Sequence, residues 1–341
     1  MGSLGITLDT NPPTLVSIII PTCNRKDSLL RTLDSLKQQT LPTARFEVVV
    51  VDDGSTDDTR EVAELDFPFA LNYTDQANSG DALARNTGAQ RAEGEYLVFV
   101  DDDITLEMGC LSAFLDTLQA HQHAIVVGNL KAVLPEPLEP FHLYKAHTNS
   151  SKSQRSDDGR ISFTACLSGF MAIRRSDYFA IGMMQGLNPR GANAWCDVDF
   201  GYRAHKLGYS FYLGQDAVGR HYDAASSSLG VACERARRVS HLAVELFRKH
   251  PDLLDFIPMF RDKAPIDWRR DSPRPMARKL ARQLSSSRPA VWMMERLVSI
   301  LERCCPSFPL LSLFYRWIIS AYIYQGYRQG LRDLASADHA P

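Results

Sequence analysis

Gly94-Glu95-Tyr96-Leu97-Val98-Phe99-Val100-Asp101-Asp102-Asp103 decides the fold. Tyr96–Val100 is a short run without polar alternation, the pattern of a strand buried on both faces of a sheet. It stops abruptly at three carboxylates. Upstream, Leu15–Ile20 is a similar run ended by Pro21, and Phe46–Val51 is another, stopped by Asp52-Asp53-Gly54-Ser55. Phe69–Tyr73 reads as a further strand. Between the runs the period changes. Ser28–Gln39 places Leu29, Leu30, Leu33 and Leu36 at helical spacing, and Asp57–Leu65 and Ala82–Arg91 also read as helices. Alternating strands and helices predict an α/β fold with a mostly parallel sheet covered by helices on both faces. Ligands of such sheets bind at the carboxyl ends of the strands, so the polar residues that follow each run are the candidates for function.

Downstream the pattern loosens from about Asn129. Pro135, Pro137 and Pro140 punctuate an irregular stretch, and Ser150–Arg160 reads as a polar loop. Asp197–Leu207 has a helical pattern and Tyr209–Leu213 that of a strand. Beyond Asp223 only helical patterns remain, broken by Pro-rich links such as Ala264–Pro275. The expected organisation is a catalytic domain over 14–228, with halves 14–128 and 129–228, followed by a helical extension over 229–341. At 341 residues, 45% hydrophobic and 23% charged, the chain has ample material for a core and is not a disordered polymer. A net charge of -2 argues against a nucleic-acid partner held by overall charge. The 7 cysteines are odd in number and contain no C-x-x-C pair, which argues for a reducing compartment rather than a disulfide framework. The first residues lack a basic segment followed by a long apolar run, so a cytoplasmic location is expected.

The strand-end residues form one chemical set. Pro21-Thr22-Cys23-Asn24-Arg25 follows the first strand, Asp52 and Asp53 the second, and Asp101-Asp102-Asp103 the run quoted above; Arg85 lies on the intervening helix. Adjacent carboxylates at the end of an apolar strand are costly unless a cation neutralises them. A hard divalent ion such as Mg²⁺ or Mn²⁺ suits an all-oxygen site and commonly bridges carboxylates to substrate phosphates.

Ile18–Arg25, Val49–Thr56, Ala84-Arg85-Asn86-Thr87-Gly88, Gly94–Asp103 and Asp197–Gly208, in this order, resemble the family 2 glycosyltransferases of the GT-A fold. The resemblance spans roughly residues 14–225. It implies a nucleoside-diphosphate-sugar donor, an acceptor hydroxyl on a glycan, a lipid-linked molecule or a small molecule, a Mn²⁺ or Mg²⁺ cofactor, and inversion at the anomeric carbon. It places Pro21, Thr22, Cys23 and Arg25 in the nucleotide pocket, Asp53 opposite the base, and Arg85 facing the nucleotide. Asp101 and Asp103 match the family's D-x-D; the resemblance puts Asp101 and Asp102 with the nucleotide-sugar, Asp102 near the ribose, and Asp103 on the metal, joined by His221. Asp197 falls at the catalytic base. The family usually has Glu-Asp there, whereas this chain has Cys196-Asp197. Asp199 either substitutes in part for that Glu or pairs with Arg203 at i,i+4. Ser168-Gly169-Phe170 is expected to line the sugar or acceptor cleft. Processive members carry Gln-x-x-Arg-Trp; here Leu313 precedes Arg316-Trp317, which favours transfer of a single sugar. A sugar nucleotidyltransferase and a non-catalytic nucleotide-sugar-binding protein of the same fold are the alternatives.

Leu310–Tyr327 is apolar but short for a span, and it contains Arg316. Leu310, Phe314, Trp317, Ile318 and Ala321 recur at helical spacing, which favours packing on the protein. With the basic stretch Arg269–Arg288 upstream, the alternative is peripheral contact with the inner face of a membrane.

Overall fold

The computed structural model describes residues 14–150, 158–186, 194–222, 228–266, 269, 271–307 and 309–337. They form two compact units. The first comprises Met1–Lys131, Arg155–Gly186 and Arg203–His221; the second comprises Ala132–Gln154, Leu187–Tyr202 and Tyr222–Pro341.

The first unit holds a sheet. Its strands are β1 (Val16–Thr22), β2 (Phe46–Asp52), β3 (Ala70–Asp75), β4 (Tyr96–Val100), β5 (Ile104–Leu106), β6 (Ala124–Ala132), β7 (Phe170–Arg174) and β8 (Ser210–His221), in the spatial order β3-β2-β1-β4-β7-β6-β8-β5. From β3 to β4 the strands are parallel, with Ile18 opposite Val48 and Val98. Every residue of β1, β2 and β4 is buried, as their unbroken apolar runs require. The helices α1 (Lys26–Leu36), α2 (Asp81–Arg91) and α3 (Cys110–Ala120) supply the crossovers, and Leu29, Leu33 and Leu36 of α1 join the sheet core.

Beyond β4 the sheet turns antiparallel. Phe99 pairs with Met171 of β7, and Val126 of β6 pairs with Ala172. Neither β6 nor β7 was expected, although the apolar run of β7 ends at Arg174-Arg175. β8 outruns the expected Tyr209–Leu213, because exposed Gln215 and Asp216 interrupt its apolar pattern while the strand continues to His221. Residues 58–64, expected as an α-helix, form a 3-10 helix, capped by Asp57 itself through the amide of Thr59. Most of the expected Ser150–Arg160 loop lies outside the described residues, as does 191–193 before Asp197.

The second unit is helical. It contains α4 (Pro140–Ser150), the first turns of α6 (Cys196–Lys206), α7 (Leu229–Lys249), α8 (Leu253–Phe256), α9 (Pro273–Ser285), α10 (Arg288–Cys304) and α11 (Leu311–Ala337); the short α5 (Arg175–Ala180) belongs to the sheet unit. Phe141 of α4, Cys233 of α7, Val298 of α10 and Leu311, Tyr315 and Ile318 of α11 share one core. The apolar stripe of Leu310–Tyr327 is therefore spent on packing, though on a slightly different face from that expected: Leu311, Tyr315, Ile318 and Ala321 are buried, and Leu310 is exposed. No helix among the described residues is long and apolar enough to cross a membrane.

Candidate active site

The carboxyl ends of β1, β2 and β4 carry the polar residues, as the parallel arrangement dictates. Asn24 sits just beyond β1 with a positive φ of 55°, a conformation Asn tolerates better than most residues. Its Oδ1 accepts from the amides of Thr56 (2.7 Å) and Asp57 (3.2 Å), and its own amide donates to Ser55 Oγ at 2.8 Å. The loop after β1 is thereby tied to the loop after β2. Asn24 lay within the quoted motif but carried no assigned role; its tolerance of left-handed backbone was the available signal.

Asp53 is buried, and its carboxylate organises the chain leading into α2. Oδ1 accepts from Gln76 Nε2 (2.7 Å) and the Ser79 amide (2.8 Å), and Oδ2 from the Gly80 amide (2.7 Å). Oδ2 retains a second lone pair for a further donor. Cys23 is half-buried, and burial pushes its thiol pKa up, so it is a packing and contact residue rather than a thiolate.

The Ala84–Gly88 stretch is explained by α2 lying close on β1. A Cβ at Gly88 would come within 2.5 Å of Ile19 Cγ2, so only glycine allows this approach. Asn86 accepts from Tyr178 Oη (2.6 Å) and the Met184 amide (3.1 Å), and donates to Met184 O (2.8 Å), which holds the chain after α5. Arg85 is buried, which excludes a surface arginine. It donates to Asp81 Oδ2 at 2.8 Å and forms an ion pair with Asp101.

Asp101, Asp102 and Asp103 point to different partners. Asp101 faces Arg85, and its amide donates to Gly169 O at 2.8 Å. A Cβ at Gly169 would fall 2.0 Å from Asp101 Oδ2, so this glycine makes room for the carboxylate. Ser168, Gly169 and Phe170 are all buried. Asp102 accepts from Thr22 Oγ1 (2.7 Å) and Arg25 Nη1 (2.8 Å). Burial pushes its pKa up to about 6, against the opposing pull of Arg25 and Thr22. Each of its oxygens retains a second lone pair for a further donor.

Asp103 Oδ2 accepts from Arg25 Nη2 at 2.9 Å. Its Oδ1 is buried without a well-formed hydrogen bond and stands 3.3 Å from Nε2 of His221. Burial pushes the Asp103 pKa up, but His221 and Arg25 outweigh it and hold the carboxyl below its usual value. The sheet register makes this meeting: His221 ends β8 directly opposite Ile104, the residue after Asp103. Among the described residues no group of three His, Cys, Asp or Glu side chains could hold a metal. A buried carboxylate oxygen without a donor, next to an imidazole nitrogen, nevertheless fits a hard divalent ion that takes its remaining ligands from phosphate and water.

Asp197 belongs to the second unit. It stands in the first turn of α6, half-buried, and its Oδ1 accepts from the Val198 amide at 2.8 Å. Cys196 is buried, in keeping with a packing role. Asp199 corrects both expectations for it. It is fully buried, and its Oδ1 accepts from Lys249 Nζ (2.6 Å) and meets His250 Nε2 at 2.9 Å, which anchors α6 to the end of α7. Arg203 turns to the carbonyls of Ile181 and Met183, both at 2.6 Å.

The curled eight-stranded sheet, with carboxylates and arginines at the carboxyl ends of its parallel strands, is a GT-A fold. Residues 17–181 match the model of glycosyl transferase family 2. Glycosyltransferase AglE of Haloferax volcanii is 27% identical over 212 residues, covering 60% of this chain and 66% of that protein. The validoxylamine A glucosyltransferase of Streptomyces hygroscopicus subsp. jinggangensis is 29% identical over 274 residues, covering 70% of this chain and 62% of its own. The chain thus spans less than two thirds of the length of each. Among solved structures, the mannosyltransferase PcManGT of Pyrobaculum calidifontis, in complex with GDP-Man and Mn²⁺, has a TM-score of 0.56 at 18% identity, covering 94% of this chain and 90% of that one. Residues 1-349 of S. aureus TarS give 0.52 at 21%, covering 93% and 92%.

Proposed function

We propose that this glycosyltransferase moves one sugar from a nucleoside diphosphate to an acceptor hydroxyl, with inversion and with the help of Mn²⁺ or Mg²⁺. The observation that carries the reading is the Asp103–His221 pair, a buried carboxylate oxygen without a donor and 3.3 Å from an imidazole nitrogen, at a strand edge that also holds Arg25 and Arg85. Asp103 and His221 would hold the ion, which when bound offsets negative charge on the departing diphosphate. Arg25 and Arg85, now paired with Asp101, Asp102 and Asp103, are cations of the right kind to face the phosphates. Pro21, Thr22, Cys23 and Asp53 form the nucleotide side. The spare lone pair of Asp53 Oδ2 suits the N–H of a base.

Asp197 is the proposed base. The acceptor oxygen forms a bond to the anomeric carbon as the bond to the diphosphate oxygen breaks, and the hydroxyl proton passes to the Asp197 carboxylate. Asp199 is spoken for by Lys249 and His250 and is not available for this step. The test is release of nucleoside diphosphate from a panel of nucleotide-sugars and acceptors. Asp197→Asn should lose transfer by a factor on the order of 10²–10⁴ with donor affinity little changed. Near-normal transfer by that variant would refute the assignment. Pyrophosphate formation from a nucleoside triphosphate would indicate a nucleotidyltransferase instead.

A further inference from the structure

α10 has two faces of opposite character. Val291 and Val298 point into the helical core, and its two carboxylates are also drawn inward: Glu295 accepts from Tyr322 Oη at 2.8 Å and Glu302 from Tyr315 Oη at 2.7 Å. The opposite face, read at i, i+4, i+8 and i+1, i+5, carries Trp292, Met293, Arg296, Leu297 and Ile300. Trp292 is 60% exposed, Met293 61% and Ile300 58%. The guanidinium of Arg296 lies over the Trp292 ring, 5.6 Å from its centroid, and Arg303 is exposed two turns beyond Arg296. α9, which packs on α10 and α11, adds exposed Leu280 and Leu284.

Large side chains such as Trp, Met and Ile are seldom left together in water without a purpose. Here the charges beside them have one sign, although the whole chain carries -2. We infer that the α9–α10 surface docks on the anionic face of a lipid bilayer, with Trp292, Met293 and Ile300 entering the headgroup boundary and the arginines meeting lipid phosphates. An aromatic and aliphatic face rimmed by arginine is the composition of an interfacial helix. A second copy of the chain is the poorer occupant, because a two-fold contact would bring two faces rimmed by arginine against each other. The docking surface is distinct from the Leu310–Tyr327 stripe, which is committed to packing. It stands independently of the proposed reaction.

Flotation of the full chain with phosphatidylcholine vesicles, with and without phosphatidylglycerol, tests it. Binding should require phosphatidylglycerol, weaken with salt and shift tryptophan emission to the blue. Trp292→Ala combined with Ile300→Ser should abolish flotation. Arg296→Glu with Arg303→Glu should weaken it on the order of tenfold or more. All four positions are exposed, so circular dichroism should show unchanged folding. Failure to bind anionic vesicles at low salt would overturn the proposal, as would equal binding to neutral ones. Self-association that is lost in the Trp292/Ile300 variant would overturn it in favour of a second copy. Retention in alkaline carbonate would also overturn it, by indicating an integral protein.

Discussion

Asp101, Asp102 and Asp103 are neighbours in sequence with three different surroundings. Arg85 faces the first, Thr22 and Arg25 hold the second, and Arg25 and His221 flank the third. The first depends on a missing side chain, since Gly169 leaves space that any Cβ would take from the Asp101 carboxylate. Gly169→Ala should push Asp101 off Arg85 and destabilise the fold by about 1–3 kcal/mol, the usual range for overpacking. Thermal unfolding reads this out, and Gly169→Ala/Asp101→Ser should recover part of the loss because the two changes share one space. A Gly169→Ala protein as stable as the parent would show that the carboxylate moves aside freely.

At the scale of elements, β1, β2 and β4 were legible because each is an apolar run ended by a polar group. β6 and β7 were not, for they pair antiparallel, outside the strand–helix alternation that marks the others. The same limit governs the candidate site. Asp101 and Asp103 announce themselves at the end of β4, but the proximity of His221 follows from the β5–β8 register, which joins residues more than a hundred positions apart. The partners of Asp199 were likewise hidden, since helical spacing offered Arg203 while the fold supplies Lys249 and His250. That junction of α6 and α7 can be tested directly. Asp199→Ala leaves two donors without their carboxylate; Lys249 is partly solvated, so the expected loss is about 1–3 kcal/mol rather than that of a fully buried pair. An unchanged midpoint in urea would contradict the anchoring role. A fall there, with Asp197→Asn leaving the midpoint in place, would separate the two aspartates as structural and catalytic.

Across the whole molecule, opposite charge is segregated by task. Carboxylates gather at the carboxyl ends of the strands in the sheet unit, and exposed arginines stand among exposed apolar side chains on α9 and α10 in the helical unit. The acidic edge is where the account is most exposed to test, because Arg25 and Arg85 already neutralise part of it. If Asp103 and His221 are completed by a divalent ion and the phosphates of a nucleotide, nucleotide affinity must depend on all of these together. Isothermal titration of UDP and GDP into the wild-type chain and into Asp103→Asn, each with Mn²⁺ and with a chelator, measures this most directly. The account predicts that at least one nucleotide binds the wild type with Mn²⁺ and loses on the order of tenfold or more in affinity, about 1.4 kcal/mol, on chelation. Asp103→Asn should show that weaker affinity whether or not the ion is present. Equal affinity in all four conditions would contradict it.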